Sequence, residues 1–292
     1  MKREFPKARR RRRRLRLTRR GRLLLFAGVV GLMGAVTAVV LTLLPQSKKR
    51  ATEPQARPKT LLVPEGWRSS QVYAAVDKAL GVRAGTTLRT ATAAGSRLRL
   101  PAEARGNPEG YLFPATYPVG PESSPGSLLS FMVNTAGHRF GTSSLTDGVR
   151  RHGMTLHQAV IVASIVQAEA DSAEDMARVA RVVHNRLARN MPLQMDSTLN
   201  FALNRSTLDT TRQDTGLRSP YNTYAQRGLP PTPIGNPGEA AMKAAVGPAE
   251  GDWLYFVTVQ PGDTRFTADF EEHNRNVAEF NRIRGRAGSD TG

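Results

Sequence analysis

The sequence predicts an α+β protein held at a membrane by one N-terminal helix. Three features carry that prediction: an uncharged apolar stretch close behind an arginine-rich start, a strand–helix–strand pattern after it, and a longer segment of helix signals separated by Pro/Gly-rich loops. The chain has 292 residues and a formal net charge of +18, and most of that charge lies at one end. Between Met1 and Arg22 stand thirteen basic residues against Glu4 alone, so the rest of the chain is only mildly basic.

The transmembrane element comes first. From Leu23 to Leu44 there is no charged residue, only Leu, Val, Ala, Gly, Met, Phe and Thr. At 1.5 Å per residue that run is long enough to cross a hydrocarbon core and contact membrane lipid along its length. A secretory signal would have a shorter apolar core and a small-residue cleavage site, which Leu43-Leu44-Pro45-Gln46 does not supply. The basic load before the span outweighs Lys48, Lys49 and Arg50 after it, which puts residues 1–22 in the cytoplasm and everything after the span outside the cell membrane. Arginine runs also bind nucleic acid, but a basic block abutting a span is explained by the positive-inside rule and by anionic lipid, so no nucleic-acid partner is expected. Ala27, Gly31 and Ala35 place small residues on one face of the span, which permits close helix pairing. The chain has no cysteine, which excludes disulfides and thiolate metal sites and leaves the exported part to a hydrophobic core of its own.

Residues 45–59 are polar, contain Pro54 and Pro58, and read as a tether. The α+β module is expected over residues 60–104: a strand at Leu61-Leu62-Val63, a helix from Ser70 to Leu80 with Val72, Ala75, Val76 and Leu80 on one face, and a second strand at Leu98-Arg99-Leu100. The main domain follows over residues 105–284, with a short tail at 285–292. Its clearest helix runs from Thr155 to Ala170, where Thr155 and Gln158 form a capping box. Ser172 and Asp175 repeat the signal for a helix to about Arg189. Asn236, Pro237 and Glu239 suit the cap, first and third positions of a helix through Val246. A β-rich run from Trp253 to Val259, a partner strand at Arg265 to Thr267 and a helix from Glu271 to Ile283 close the domain.

Glu169 is the most informative acid. It ends a helix whose same-face neighbours are Val166, Ile165, Val162 and Ile161, so its carboxyl is half desolvated and held toward the protonated form, as a general acid for a glycosidic oxygen requires. A carboxylate closing a helix and pairing with a nearby Arg such as Arg178 fits the same position, and the residues alone leave both readings open. Glu109 sits beside aromatics in a turn-rich strip, which suits a sugar cleft or a structural turn. Tyr221-Asn222-Thr223-Tyr224, followed by Gly228-Leu229-Pro230-Pro231, is a loop dense in hydrogen-bonding groups suited to sugar hydroxyls and amides. The five histidines show no metal spacing, and neither a nucleophile elbow nor a phosphate-cradling glycine loop is present, so no metal or cofactor is expected.

Six ordered strips carry a resemblance to a known family. They are Glu109-Gly110-Tyr111-Leu112-Phe113-Pro114-Ala115-Thr116-Tyr117; Ala163-Ser164-Ile165-Val166-Gln167-Ala168-Glu169; Leu193-Gln194-Met195-Asp196-Ser197-Thr198; Tyr221 to Tyr224 with Gly228 to Pro231 and Asn236-Pro237-Gly238; Leu254-Tyr255-Phe256-Val257; and His273-Asn274. In this order they resemble the MltG (YceG-like) endolytic murein transglycosylases, from about Thr60 to Arg282. The resemblance implies a membrane anchor, a small LysM-like module at residues 60–104, and a catalytic domain whose essential glutamate corresponds to Glu169. It also implies that Glu109, Gln194, Asp196, Tyr221, Asn222, Thr223, Tyr224, Asn236, His273 and Asn274 serve substrate binding. The chain departs from the family pattern at Gln167-Ala168, at Ser197 and at Thr232, and its small module is short.

The activity so implied is lytic cleavage of the bond between N-acetylmuramic acid and N-acetylglucosamine in nascent peptidoglycan strands, giving 1,6-anhydro ends and limiting strand elongation. A peptidoglycan synthase is the protein partner such an enzyme would work beside. The alternative function is a non-catalytic, membrane-anchored glycan-binding scaffold, which explains the anchor and the small module equally well. A hydrolase of the same bond is a third, and would need a second carboxylate holding water near Glu169.

Overall fold

A computed structural model describes residue 33 and residues 59–93, 98–205 and 211–289. The expected cytoplasmic tail, the 23–44 span apart from helical Met33, and all of the linker except Lys59 lie outside the described residues. Among the described residues no helix is long and apolar enough to cross a membrane.

Strand β1 (Thr60–Leu62) pairs antiparallel with β2 (Thr116–Pro118), Leu61 opposite Tyr117. Between them run α1 (Ser69–Leu80) and α2 (Thr86–Thr92). The strand expected at Leu98-Arg99-Leu100 is therefore not the partner of β1, and those residues are coil. One edge of β1 is taken by β2, and Val63 N donating to Ala115 O and Val119 N to Lys59 O extend that ladder at both ends. Leu98 and Leu100 instead pack against the core as partly buried residues, with Leu100 N donating to Leu98 O at 2.9 Å.

Helix α3 (Pro125–Phe140) opens with a Ser124–Ser127 capping box and a proline in its first turn, and α4 (Ser143–Arg151) follows. Helix α5 (Leu156–Glu169) begins at the expected Thr155–Gln158 box. Residues 159–166 of α5 are all buried, so it is covered on every side and not on one stripe. Each fully buried Val or Ile there contributes about 1.5–3 kcal/mol relative to exposure. Helix α6 (Ala173–Ala188) is capped by Ser172, whose hydroxyl accepts from Asp175 N, and turns Met176, Val179, Val182 and Val183 inward. After α7 (Asp196–Ala202) and the single turn α8 (Arg212–Thr215) comes α9 (Glu239–Val246), which packs on both α5 and α6. The hairpin β3 (Tyr255–Gln260) and β4 (Asp263–Thr267) and the helix α10 (Phe270–Ser289) close the fold where the β-run and last helix were expected.

Helix α9 starts after Gly238, later than the cap expected at Asn236. Asn236 is fully buried, and its side chain is committed across the chain: Nδ2 donates to Trp67 O at 2.7 Å and Oδ1 accepts from Leu112 N at 2.8 Å. Asn236 N and O also bond Trp67 O and Gly66 N. One residue thus ties three segments together, and the buried core runs without a break from Leu61 through Val160 to Val246. Residues Arg57–Gly292 accordingly form one compact unit.

Candidate active site

Apolar packing sets the position of Glu169. Helix α5 is buried up to Val166, and its last turn carries the Glu169 carboxyl to the start of α7, where Asp196 and Ser197 stand. Although Glu169 is half-buried as a residue, its Oε1 is sealed from solvent and makes no hydrogen bond of good geometry, and the same holds for Ser197 Oγ. Burial pushes the Glu169 carboxyl above its ordinary range. The hydroxyl and N–H of Ser197 oppose that rise, and the charge of Asp196 adds to it. Arg178, the partner considered for a structural carboxylate here, pairs instead with Glu174 and Asp175 of its own helix. Glu169 is thus a desolvated acid with a free oxygen.

Asp196 Oδ1 accepts from Tyr224 Oη at 2.6 Å. Burial raises the Tyr224 hydroxyl first, and the hydrogen bond and charge of Asp196 raise it further, so it stays a proton donor. The loop that carries Tyr224 is held by its neighbours. Asn222 is fully enclosed and spends its amide on Thr215 O, Leu217 O and Tyr224 N. Thr223 Oγ1 accepts from Met195 N at 3.0 Å and meets Thr198 Oγ1 at 2.9 Å. Asn222, Thr223 and Asn236 therefore have their polar atoms engaged within the fold, whereas Tyr224 and Tyr221 are half-exposed.

Beside Asp196, Gln194 is exposed and has φ +50°, a strained conformation for a residue with a side chain. It is held there by Gln194 N donating to Thr223 O and by Arg186 Nη1, 3.4 Å from Gln194 Oε1. Arg186 is buried, donates to Leu193 O and Leu254 O at 2.6 Å each, and lies over the Tyr255 ring at 5.3 Å. His273 stacks on that same Tyr255 ring, with the centroids 5.1 Å apart and Nδ1 buried and unpartnered among the described residues. Burial and then the Arg186 charge hold His273 below its ordinary pKa, which favours the neutral ring. Asn274 is exposed on α10.

The structure thus links Glu169, Asp196, Tyr224, Gln194 and His273 through contacts and shared fields. Glu109 and Tyr221 belong to a neighbouring cluster. Both Glu109 oxygens accept from Ser69 N, at 3.0 and 3.1 Å, at the start of α1. Burial pushes the Glu109 carboxyl up to about 7 against the opposing effects of Ser69 and Arg68. Arg68 lies over the Phe201 ring, Phe201 packs on Tyr221, and the Tyr221 hydroxyl meets Thr232 at 2.8 Å. Phe201 is on α7, the helix that carries Asp196, so α7 joins the two clusters.

Arg186, Ser197 and Tyr255 were not singled out as site residues. For Arg186 a signal exists: it falls three, four and seven residues after Val183, Val182 and Val179, a charge on the apolar stripe of its helix. Among the described residues no group of three potential ligands could hold a metal.

The sequence profile of the YceG-like family matches residues 35–279. The chain is 35% identical over 168 residues to the endolytic murein transglycosylase of Bacillus subtilis, covering 57% of this chain and 46% of that protein. It is 31% identical over 264 residues to the endolytic murein transglycosylase of Streptococcus pneumoniae (strain D39), 81% of this chain and 48% of that one. The chain spans about half the length of these relatives. Its fold is similar to the crystal structure of a YceG-like protein from Listeria monocytogenes, with a TM-score of 0.66 at 30% identity over 75% of each chain.

Proposed function

The chain belongs to the YceG-like family, and from that premise we propose that it is an endolytic peptidoglycan lytic transglycosylase with Glu169 as its general acid and base. The single observation that carries the assignment is the Glu169 carboxyl, buried at the end of an apolar helix with Oε1 unpartnered. A scaffold that only bound glycan would gain nothing from so costly a group, whereas a proton donor needs it.

Protonated Glu169 gives its proton to the oxygen joining N-acetylmuramic acid to N-acetylglucosamine, and the bond from that oxygen to the muramyl C1 breaks. The resulting carboxylate then takes the proton of the muramyl 6-hydroxyl, whose oxygen closes on C1 as a 1,6-anhydro ring. Glu169 is restored and no water is consumed. Ser197 supports the ionised interval through its N–H and hydroxyl, and the Asp196 charge favours reprotonation. Gln194, Tyr224, Tyr221, His273 and Asn274 present the accessible polar surface for sugar hydroxyls and acetamido groups. Asn222, Thr223 and Asn236 position that surface from within.

Asp196 near Glu169 also favours a second reading, a hydrolase in which it holds the attacking water. Muropeptide analysis separates the two, because only the transglycosylase leaves 1,6-anhydro ends. The same assay on Glu169→Gln tests the acid: the rate should fall by about 10²–10⁴-fold, and near wild-type release would overturn the assignment.

The location belongs to the proposal as well: one span at residues 23–44, the N-terminus cytoplasmic, and the catalytic unit outside the membrane beside a peptidoglycan synthase. The basic residues before Leu23 support that topology. Residues 60–104, continued to β2, form the segment proposed as LysM-like, with the order strand, two helices, strand.

A further inference from the structure

A cavity of about 830 Å³ lies away from Glu169, between the first half of α5, the last turns of α6, the end of α4 and the Gly228-Leu229-Pro230 loop. Arg151, His152, Arg181 and His184 line it together with Gln158 and Asn185, and no acidic side chain does. The His152 and His184 rings stand 4.6 Å apart. His184 Nε2 donates to Ala245 O at 2.8 Å, which leaves Nδ1 as its free polar atom. Arg181 is anchored through Nε to Ala249 O, which leaves its terminal nitrogens without a partner among the described residues, and Arg151 forms no ion pair there, since Asp147 of its helix pairs with Arg150. Burial lowers the His184 pKa, the bond to Ala245 O opposes that, and His152 and Arg181 lower it further, so the positive charge of the cavity rests on Arg151 and Arg181. An anion is what this arrangement lacks.

We infer that the cavity is an oxyanion subsite that takes a carboxylate of the peptide stem carried by the muramyl residue of the strand. This rests on the peptidoglycan reading of the site above. Ile161, in the cavity wall, and Glu169 are eight residues apart on one helix, about 12 Å along its axis. A stem peptide leaving the sugar held at Glu169 can span that distance. Arg151 and Arg181 offer paired N–H donors suited to a carboxylate, and Leu229 in the cavity wall stands five residues after Tyr224 in the chain.

The test is thermal shift of the 292-residue chain in detergent, in a Glu169→Gln background so that nothing is cleaved. The probes are a muramyl stem peptide with free carboxylates, the same peptide amidated at each carboxyl, and inorganic phosphate. The free acid should raise Tm in a concentration-dependent way while the amide does not. Arg151→Gln, an exposed site, should leave the ligand-free Tm unchanged and weaken the response about 3- to 10-fold; Arg181→Met should weaken the response as much while lowering the ligand-free Tm, because Ala249 O loses its donor. No response to the acid, an equal response to acid and amide, or a response untouched by both substitutions would overturn the subsite. A response to phosphate alone would overturn the stem as its source. Wild-type protein that bound the stem but released no anhydro ends would sink the proposed reaction and leave the subsite standing.

Discussion

Replacing Glu109 by Gln should make the protein more stable, and by an amount that depends on pH in a defined way. Glu109 is 7% exposed, and burial raises its carboxyl from 4.5 to about 7. Between those two values the folded state binds more protons than the unfolded state, so stability falls as pH rises through that window. Below pH 4.5 both states are protonated and the penalty is absent; above pH 7 it is complete. At about 1.36 kcal/mol per pH unit the raised pKa costs the ionised folded protein about 3 kcal/mol. Gln keeps an oxygen to accept from Ser69 N but loses the attraction of a carboxylate for the start of α1, worth about 0.3–1 kcal/mol. The net gain is about 2–3 kcal/mol at pH 8, or roughly 4–12 °C in Tm for a unit of this size, shrinking to nothing or a slight loss at pH 4. The assay is urea unfolding of wild type and Glu109→Gln at pH 4, 6 and 8. A gain that does not vary with pH, or a loss at pH 8, would show that Glu109 is held ionised by its surroundings and refute the reasoning.

Glu169→Gln should follow the same sign for the same cause: its Tm should match wild type at acidic pH and exceed it increasingly as pH rises, while activity is lost. A lower Tm at alkaline pH would mean that an ionised Glu169 is stabilising. Asn236→Ala should cost about 2–4 kcal/mol in chemical denaturation, because Leu112 N and Trp67 O lose their side-chain partner and Leu112 N is left unsatisfied in the core; a cost under 1 kcal/mol would mean that water replaces the amide. A chain lacking residues 60–101 should be molten or insoluble, since β2 loses its partner strand and Glu109 and Asn236 lose Ser69 and Trp67. Far- and near-UV circular dichroism would show it, and a cooperative melt would refute it.

The elements that could be read from the chain itself are those whose signals are local. The Thr155–Gln158 and Ser172–Asp175 caps start α5 and α6 where expected, because a cap is satisfied by groups three residues away. The β-rich run and partner strand of the β3–β4 hairpin, the apolar approach to Glu169 and the six ordered strips were equally visible in the order of residues. What depends on distant segments was not. Whether β1 would pair with Leu98-Arg99-Leu100 or with Thr116-Tyr117-Pro118 depends on which edge reaches it in space, and the ladder from Lys59 to Val119 took that edge. Asn236 has the residue type of a helix cap, yet Trp67 and Leu112, 169 and 124 positions away, claim its amide. Arg178 has the charge to neutralise Glu169, but helix geometry gives it Glu174 and Asp175. Sequence alone determined that an acid would end a buried helix. Only tertiary packing decided that Ser197, Asp196 and Tyr224 would face it, because burial and field are sums over neighbours that the chain brings together only when folded.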